Sequence, residues 1–313
     1  MWLSTSLWLG ISYWLRINWV STPHPENLRC IGFMVLSMAG FAIEDAVIKY
    51  LALSMPISQV LMLIGFGGMV SFALLSRFQQ EPLIRPDVFK RWFVIRTICE
   101  LGSAILFVTA IVYASLSASS AILQATPLAV ALGGVLVLKQ TVSVSQWALI
   151  SLGFFGVLLV IGPGTDAFQP ATLFAVGGVA FLAVRDLITR VISVSMPAVV
   201  VSFWAFFALL MSGVVTIPLF GAFTPIEWIH IGILVLSALA GSIGYYSVVL
   251  ATRDGDVAVI APFRYTRLVF AMILAVLIFD EQITPMMIAG SLLIIFSGIG
   301  VLGFTRPMRQ RAP

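Results

Sequence analysis

The strongest constraint on this chain is its succession of apolar runs, each about as long as a bilayer is thick. A hydrocarbon core of about 30 Å takes about 20 apolar residues in a helix. Ten such runs follow one another, near 29–52, 57–76, 92–112, 117–138, 145–162, 171–191, 197–219, 228–250, 257–279 and 286–304. Turn chemistry separates them, as in Ser54-Met55-Pro56, Gly162-Pro163-Gly164 and Arg253-Asp254-Gly255-Asp256. Only 10% of the residues are charged, against about 25% in soluble domains, which is too few to coat a water-soluble globule. Soluble enzymes, nucleic-acid binders and disordered proteins are excluded. The expected fold is an all-α integral membrane protein with ten transmembrane helices.

Residues 1–28 do not fit the ten-span pattern. Trp2, Trp8, Trp14 and Trp19 surround a single Arg16, and Trp favours the membrane interface. The reading is an N-terminal extension lying in that interface, with an eleventh span as the alternative. Basic residues set the orientation. Arg16, Arg29, Arg77, Arg85, Lys90, Arg91, Lys139, Arg190, Arg253, Arg306, Arg309 and Arg311 share the N-terminal side, and only Lys49 lies opposite. The positive-inside rule then puts both termini, including a basic tail at 305–313, in the cytoplasm.

Catalytic chemistry has little to work with. No CxxC, HExxH, GxxxxGK[ST] or GxSxG pattern occurs, the two histidines are His24 and His230, and Cys30 and Cys99 sit inside apolar runs as small buried hydrophobes. The chain is therefore not expected to be an enzyme or to hold a metal or cofactor.

An internal repeat gives the organisation. Glu44-Asp45, Lys49 and Ser54-Met55-Pro56 are matched by Arg185-Asp186, Arg190 and Ser195-Met196-Pro197, each pair separated by 141 residues. The ends match too, with Gln146-Trp147-Ala148 to Gly156 parallel to Ile288-Ala289-Gly290 to Gly298 at an offset near 142, a register that sets Lys139 where Glu281 stands. Two related units of five spans follow, 29–162 and 171–304. Five is odd, so the second unit enters the membrane from the opposite side. Inverted repeats of this kind recur in secondary transporters, which exchange outward-open and inward-open shapes about a midplane site.

The ten spans, the duplication, the Gly290…Gly298 final helix and the segment Ala261-Pro262-Phe263-Arg264-Tyr265-Thr266-Arg267, followed by Phe279-Asp280-Glu281, resemble the drug/metabolite transporter superfamily, specifically its EamA-type members. Lys139-Gln140 departs from that pattern, since the family commonly carries a Glu after its fourth helix. The resemblance implies a basket of helices around a central cavity lined by the third, fourth, eighth and ninth spans, in a bacterial inner membrane. The Pro-Phe-Arg-Tyr-Thr-Arg segment resembles members linked to riboflavin or S-adenosylmethionine uptake.

Ionisable groups inside the spans cost about 2.5–3.5 kcal/mol each on insertion scales and normally face the interior. Arg96 and Glu100, four apart on one helix face, read either as a self-neutralising pair or as a proton site at Glu100. Asp45 with Lys49 and Asp186 with Arg190 have the same spacing and read as local pairs. Glu44 and Arg185 hold equivalent repeat positions with opposite charge, so a meeting across the cavity or a gate is an alternative to a structural role. Arg264 and Arg267, beside Tyr265 and Thr266, read as substrate ligands or as counter-ions of Glu100 and Glu44. Gln124, in the polar, kinkable stretch Ser115–Pro127, and Tyr245, beside Gly241, Ser242 and Gly244, complete the candidate site. Pro262 is expected to soften its helix, and Phe203, Trp204, Phe206 and Phe207 read as lipid-facing or core aromatics.

The expected function is a secondary carrier for a small polar metabolite, with riboflavin-type vitamin uptake as the first choice. Export of amino acids or amines is the alternative, and a non-transporting membrane scaffold is the competing class. The expected partners are a small-molecule substrate and the lipid bilayer, without nucleic acid, for a monomer or a homodimer.

Overall fold

The structure is a computed structural model, and it describes residues 25–136, 143–163, 168–191, 196–221, 223–254 and 257–304. The N-terminal extension as far as residue 24, Lys139, the Arg190 side chain and the tail at 305–313 lie outside the described residues. The helices are α1 (Pro25–Leu51), α2 (Ile57–Gln79), α3 (Arg91–Tyr113), α4 (Leu116–Leu123), α5 (Thr126–Leu136), α6 (Val144–Ile161), α7 (Thr172–Val191), α8 (Ala198–Phe220), α9 (Trp228–Asp254), α10 (Thr266–Phe279) and α11 (Pro285–Phe304). Among the described residues nine helical stretches are long and apolar enough to cross a membrane, counting α4 with α5 as one, and the apolar part of α11 forms a shorter tenth at Pro285–Val301. The fold is all-helical with ten spans, as the hydropathy requires.

Local chemistry sets the ends of these helices. Pro56 and Pro197 each stand immediately before a helix, where a missing N–H costs nothing. Ser143 and Gln146 form a capping box at the start of α6, and Gly162 ends that helix in the left-handed region.

The packing repeats under exchange of the two units. α1 lies on α9, and its image α7 lies on α3; α2 touches α9 as α8 touches α3; α1 touches α10 as α7 touches α4 and α5. The pairs α2 with α8 and α6 with α11 are their own images. A pseudo-two-fold axis therefore relates the halves. Where α6 meets α11 the backbones approach closely, because lipid supplies no hydrophobic drive and small residues must provide the contact. A Cβ on Gly156 would stand 2.7 Å from the Gly290 carbonyl oxygen, and one on Gly290 would stand 2.6 Å from that of Gly156. Gly156→Val is expected to overpack this crossing by about 1–3 kcal/mol and to lower the thermal midpoint of the purified protein. An unchanged midpoint would show that the crossing yields without cost.

Both fourth spans are broken at the proline-bearing places where the sequence marks a kinkable stretch, the first of them inside the span at 117–138. In the first, α4 ends at Leu123 and α5 begins at Thr126. Pro127 has no N–H to offer the carbonyl four residues earlier, and the Thr126 hydroxyl donates to that Leu123 oxygen instead, at 2.5 Å. In the second, one helical turn at Val257–Ile260 passes into a 3-10 segment, Ala261–Tyr265, before α10. Pro262 lies in that segment, and the Thr266 hydroxyl donates to Phe263 O at 2.7 Å. Gln124 Nε2 donates to Arg264 O at 2.9 Å, so the two breaks meet across the axis.

Candidate functional site

The interior charges gather where α1, α3, α7 and α10 converge, and the structure redistributes the partners expected from local spacing. Arg185 on α7 is the hub of one half. Its Nη1 is 2.8 Å from Glu100 Oε1 and its Nη2 is 2.7 Å from Asp186 Oδ1. Arg96 lies 3.6 Å from Glu100 Oε2, too long for a hydrogen bond, and donates instead to Thr189 Oγ1 and to the Tyr245 hydroxyl, each at 3.2 Å. The expected Arg96–Glu100 pair is thus the looser of two contacts. Packing of α3 on α7 brings a better cation to Glu100.

In the other half Asp45 reaches across to α10, where Arg267 Nη2 meets its Oδ2 at 2.7 Å. The same guanidinium stands over the rings of Phe41 and Phe107, 5.2 and 5.6 Å from their centroids. Asp45 therefore does not pair with Lys49, Asp186 takes Arg185, and Glu44 does not meet Arg185. Neighbours on one helix share a face, but in a bundle that face lies against other helices, whose buried guanidinium groups need partners more.

Two interior charges are left over. Glu44 is 9% exposed and takes no ion pair or hydrogen bond among the described residues. Its carboxylate lies against Gly241, whose added Cβ would fall 2.5 Å from Glu44 Oε1. Arg264 is exposed, and among the described residues its guanidinium makes no ion pair. Neither Arg264 nor Arg267 neutralises Glu100. Buried polar atoms without a hydrogen-bond partner lie nearby on α3, at Arg96 Nη1 and Glu100 Oε2, on α4, at Ser119 Oγ and Ser120 Oγ, and on α9, at Ser242 Oγ. Such atoms are rare in protein interiors.

The remaining candidates make contacts within the fold. Gln124 brackets the two breaks, and Tyr245 carries Arg96 and sets its ring edge-on to Phe41. Tyr265 is buried with its hydroxyl packed against Gly298 on α11. Trp204 donates to Leu83 O at 3.1 Å within a cluster of Phe89, Phe93, Phe203 and Phe207, so it packs as a core aromatic.

One group the candidate set omitted is Glu281. It follows α10 and joins three parts of the fold. Lys49 Nζ donates to its Oε1 at 2.7 Å and to Ala114 O at 3.0 Å; the Leu116 N–H donates to Oε1 at 2.7 Å; the Ser117 N–H and hydroxyl donate to Oε2 at 3.1 and 2.6 Å. Its carboxylate thus caps the start of α4 and binds the end of α1. Burial pushes its pKa up, but Lys49, the Ser117 hydroxyl and the Leu116 N–H outweigh this and hold it below its ordinary value. The repeat register singled out Glu281 only as the place where the first unit carries Lys139.

Two five-span units of opposite orientation, with broken fourth spans meeting beside a charged interior, have the architecture that recurs in membrane transporters. The chain belongs to the EamA-like transporter family, whose pattern matches residues 28–162 and again 169–303. An S-adenosylmethionine uptake transporter of Rickettsia conorii is 22% identical over 270 residues, 85% of this chain and 89% of the relative. That of Rickettsia prowazekii is 22% identical over 86% of this chain and 90% of its own. An uncharacterized transporter of Helicobacter pylori is 27% identical over 201 residues, 59% of this chain and 64% of the relative. A solved crystal structure only 15% identical superposes with a TM-score of 0.60 over 90% of this chain and 99% of its own, and so has the same fold. The cargo named for the two Rickettsia relatives is S-adenosylmethionine and not riboflavin.

Proposed function

We propose that this protein is a secondary carrier for S-adenosylmethionine or a close chemical relative, taken up by alternating access across a bacterial inner membrane with both termini in the cytoplasm. The observation that carries the reading is the charge left over after pairing. One carboxylate, Glu44, and one guanidinium, Arg264, form no ion pair or side-chain hydrogen bond among the described residues. A cargo with a cationic centre and a carboxylate complements both, and a sulfonium amino acid has both. The named relatives, similar over most of the chain, point to the same cargo. Riboflavin, an uncharged ring system, has no use for the pair.

In this reading the Glu281 network is the closed gate at the end opposite the N-terminus. The equivalent repeat positions at the other end are Arg190 and Lys139, two like charges that cannot form the same bridge. Purified protein in liposomes is expected to take up labelled S-adenosylmethionine saturably, with competition from the unlabelled compound and none from riboflavin. Uptake no faster than into empty liposomes, or competition by riboflavin at similar concentration, would overturn the reading. Efflux of amino acids or amines from preloaded liposomes would establish the exporter alternative.

A further inference from the structure

The two-fold relation holds for the helices but fails for the charges. Positions 141 residues apart are images of one another, so Arg185 corresponds to Glu44 and Glu100 to Gly241; Arg96 corresponds in the same way to Ser237. In the first half α3 supplies Glu100 to Arg185. In the second half the image contact is Glu44 against Gly241, where α9 offers no charge. Glu44 therefore stands where a charged partner is expected and finds a glycine.

Other elements packed against α1 supply no substitute. Arg267 on α10 is the cation within electrostatic range of Glu44, and it is committed to Asp45. On α3, Glu100 is held by Arg185 and Arg96 by Thr189 and Tyr245. Arg264 in the 3-10 segment makes no ion pair. Nearby on α9, Ser237 and Ser242 are buried with hydroxyls that bond to nothing in the protein. A buried carboxylate with no partner is costly to keep, and the glycine preserves its room. Any side chain at 241 would displace it.

We infer that Glu44, beside Gly241, is the subsite for the cationic centre of the cargo, an organic ammonium or sulfonium group that completes the charge pair this half lacks. The inference rests on the transport reading and adds the residue that recognises charge.

The test is ligand-induced thermal stabilisation of the purified full-length protein, read for wild type, Glu44→Gln and Glu44→Asp. The probes are S-adenosylmethionine, its thioether analogue lacking the methyl group on sulfur, and a panel of singly charged organic ammonium compounds. Glu44→Gln keeps shape and removes charge. It is expected to weaken the cationic probe by about 10- to 100-fold, the loss of one charge-assisted contact, while Glu44→Asp retains part of the affinity. Loss confined to S-adenosylmethionine assigns the sulfonium; equal loss for the thioether assigns the ammonium. Should Glu44→Gln not fold, Gly241→Ala displaces the carboxylate without removing it, and the same weakening is expected. Unchanged affinity in a folded variant would overturn the subsite and leave the transport reading intact. Wild type that ignores both adenosyl compounds but binds an ammonium probe through Glu44 would overturn the cargo and keep the subsite. Binding of no cation at all would overturn both.

Discussion

Arg185→Ala is expected to be the most damaging single substitution in the interior, at about 3–5 kcal/mol, the cost of leaving a buried charge without its partner. The guanidinium serves two carboxylates from two helices, at 2.8 Å to Glu100 and 2.7 Å to Asp186. Removing it leaves Glu100 with only the 3.6 Å approach of Arg96. The thermal midpoint should fall steeply and the yield of folded protein with it. The loss comes chiefly from an uncompensated charge rather than from lost packing, so removing that charge should reverse much of it. Glu100→Gln in the Arg185→Ala background is expected to recover stability, although it adds a second change to the same junction. Asp186 needs no such help, since Arg96 and Arg264 also act on it. A double variant no more stable than Arg185→Ala alone would mean that Arg185 holds α7 on α3 by shape rather than by charge.

How much of the fold and site is legible in the sequence depends on the range of the interaction. Ten spans and the inverted repeat were readable because each is written in a run of about 20 residues or in a fixed offset, and the Ser-Met-Pro turns preserve the register. The breaks were half-readable. Pro127 and Pro262 marked flexible places, but a proline does not say whether a helix bends or ends. Partners were readable only for Arg96 with Glu100, and there only as the looser contact. Asp45 joins Arg267 across 222 residues and Lys49 joins Glu281 across 232, whereas spacing on one helix proposed Asp45 with Lys49. Local spacing identifies residues on the same face, and tertiary packing then decides what that face meets. The exception is Gly241. Its equivalence to Glu100 was present in the 141-residue offset, but a glycine draws attention only once its image is known to be charged.

The second large effect is expected at the proposed gate, where Glu281 has two separable jobs. It neutralises Lys49, with both side chains only 11% exposed, and it accepts from the Leu116 and Ser117 N–H groups at the start of α4. Charge-assisted hydrogen bonds of this sort contribute about 1.5–3 kcal/mol each. Glu281→Gln should therefore shift the gate toward opening by about 2 kcal/mol, or roughly 30-fold in the open fraction. A Ser120→Cys reporter on buried α4 reads this as faster reaction with a membrane-impermeant thiol reagent. The charge swap Lys49→Glu with Glu281→Lys separates the two jobs. It rebuilds the ion pair, but a lysine has no acceptor for the α4 N–H groups, so the reporter should close only part of the way back. Full restoration would show that the ion pair alone holds the gate, and no restoration that the cap does. Acid supplies an independent check with a defined sign. The folded pKa of Glu281 is depressed, so its stabilisation is fully present above the ordinary value of 4.5 and is lost as pH falls through the lower folded value. In wild type, the protection of the reporter that Glu281→Gln removes should be constant through the neutral range and be lost only below pH 4.5. A gate that opens between neutral and mildly acidic pH would be governed by some other group.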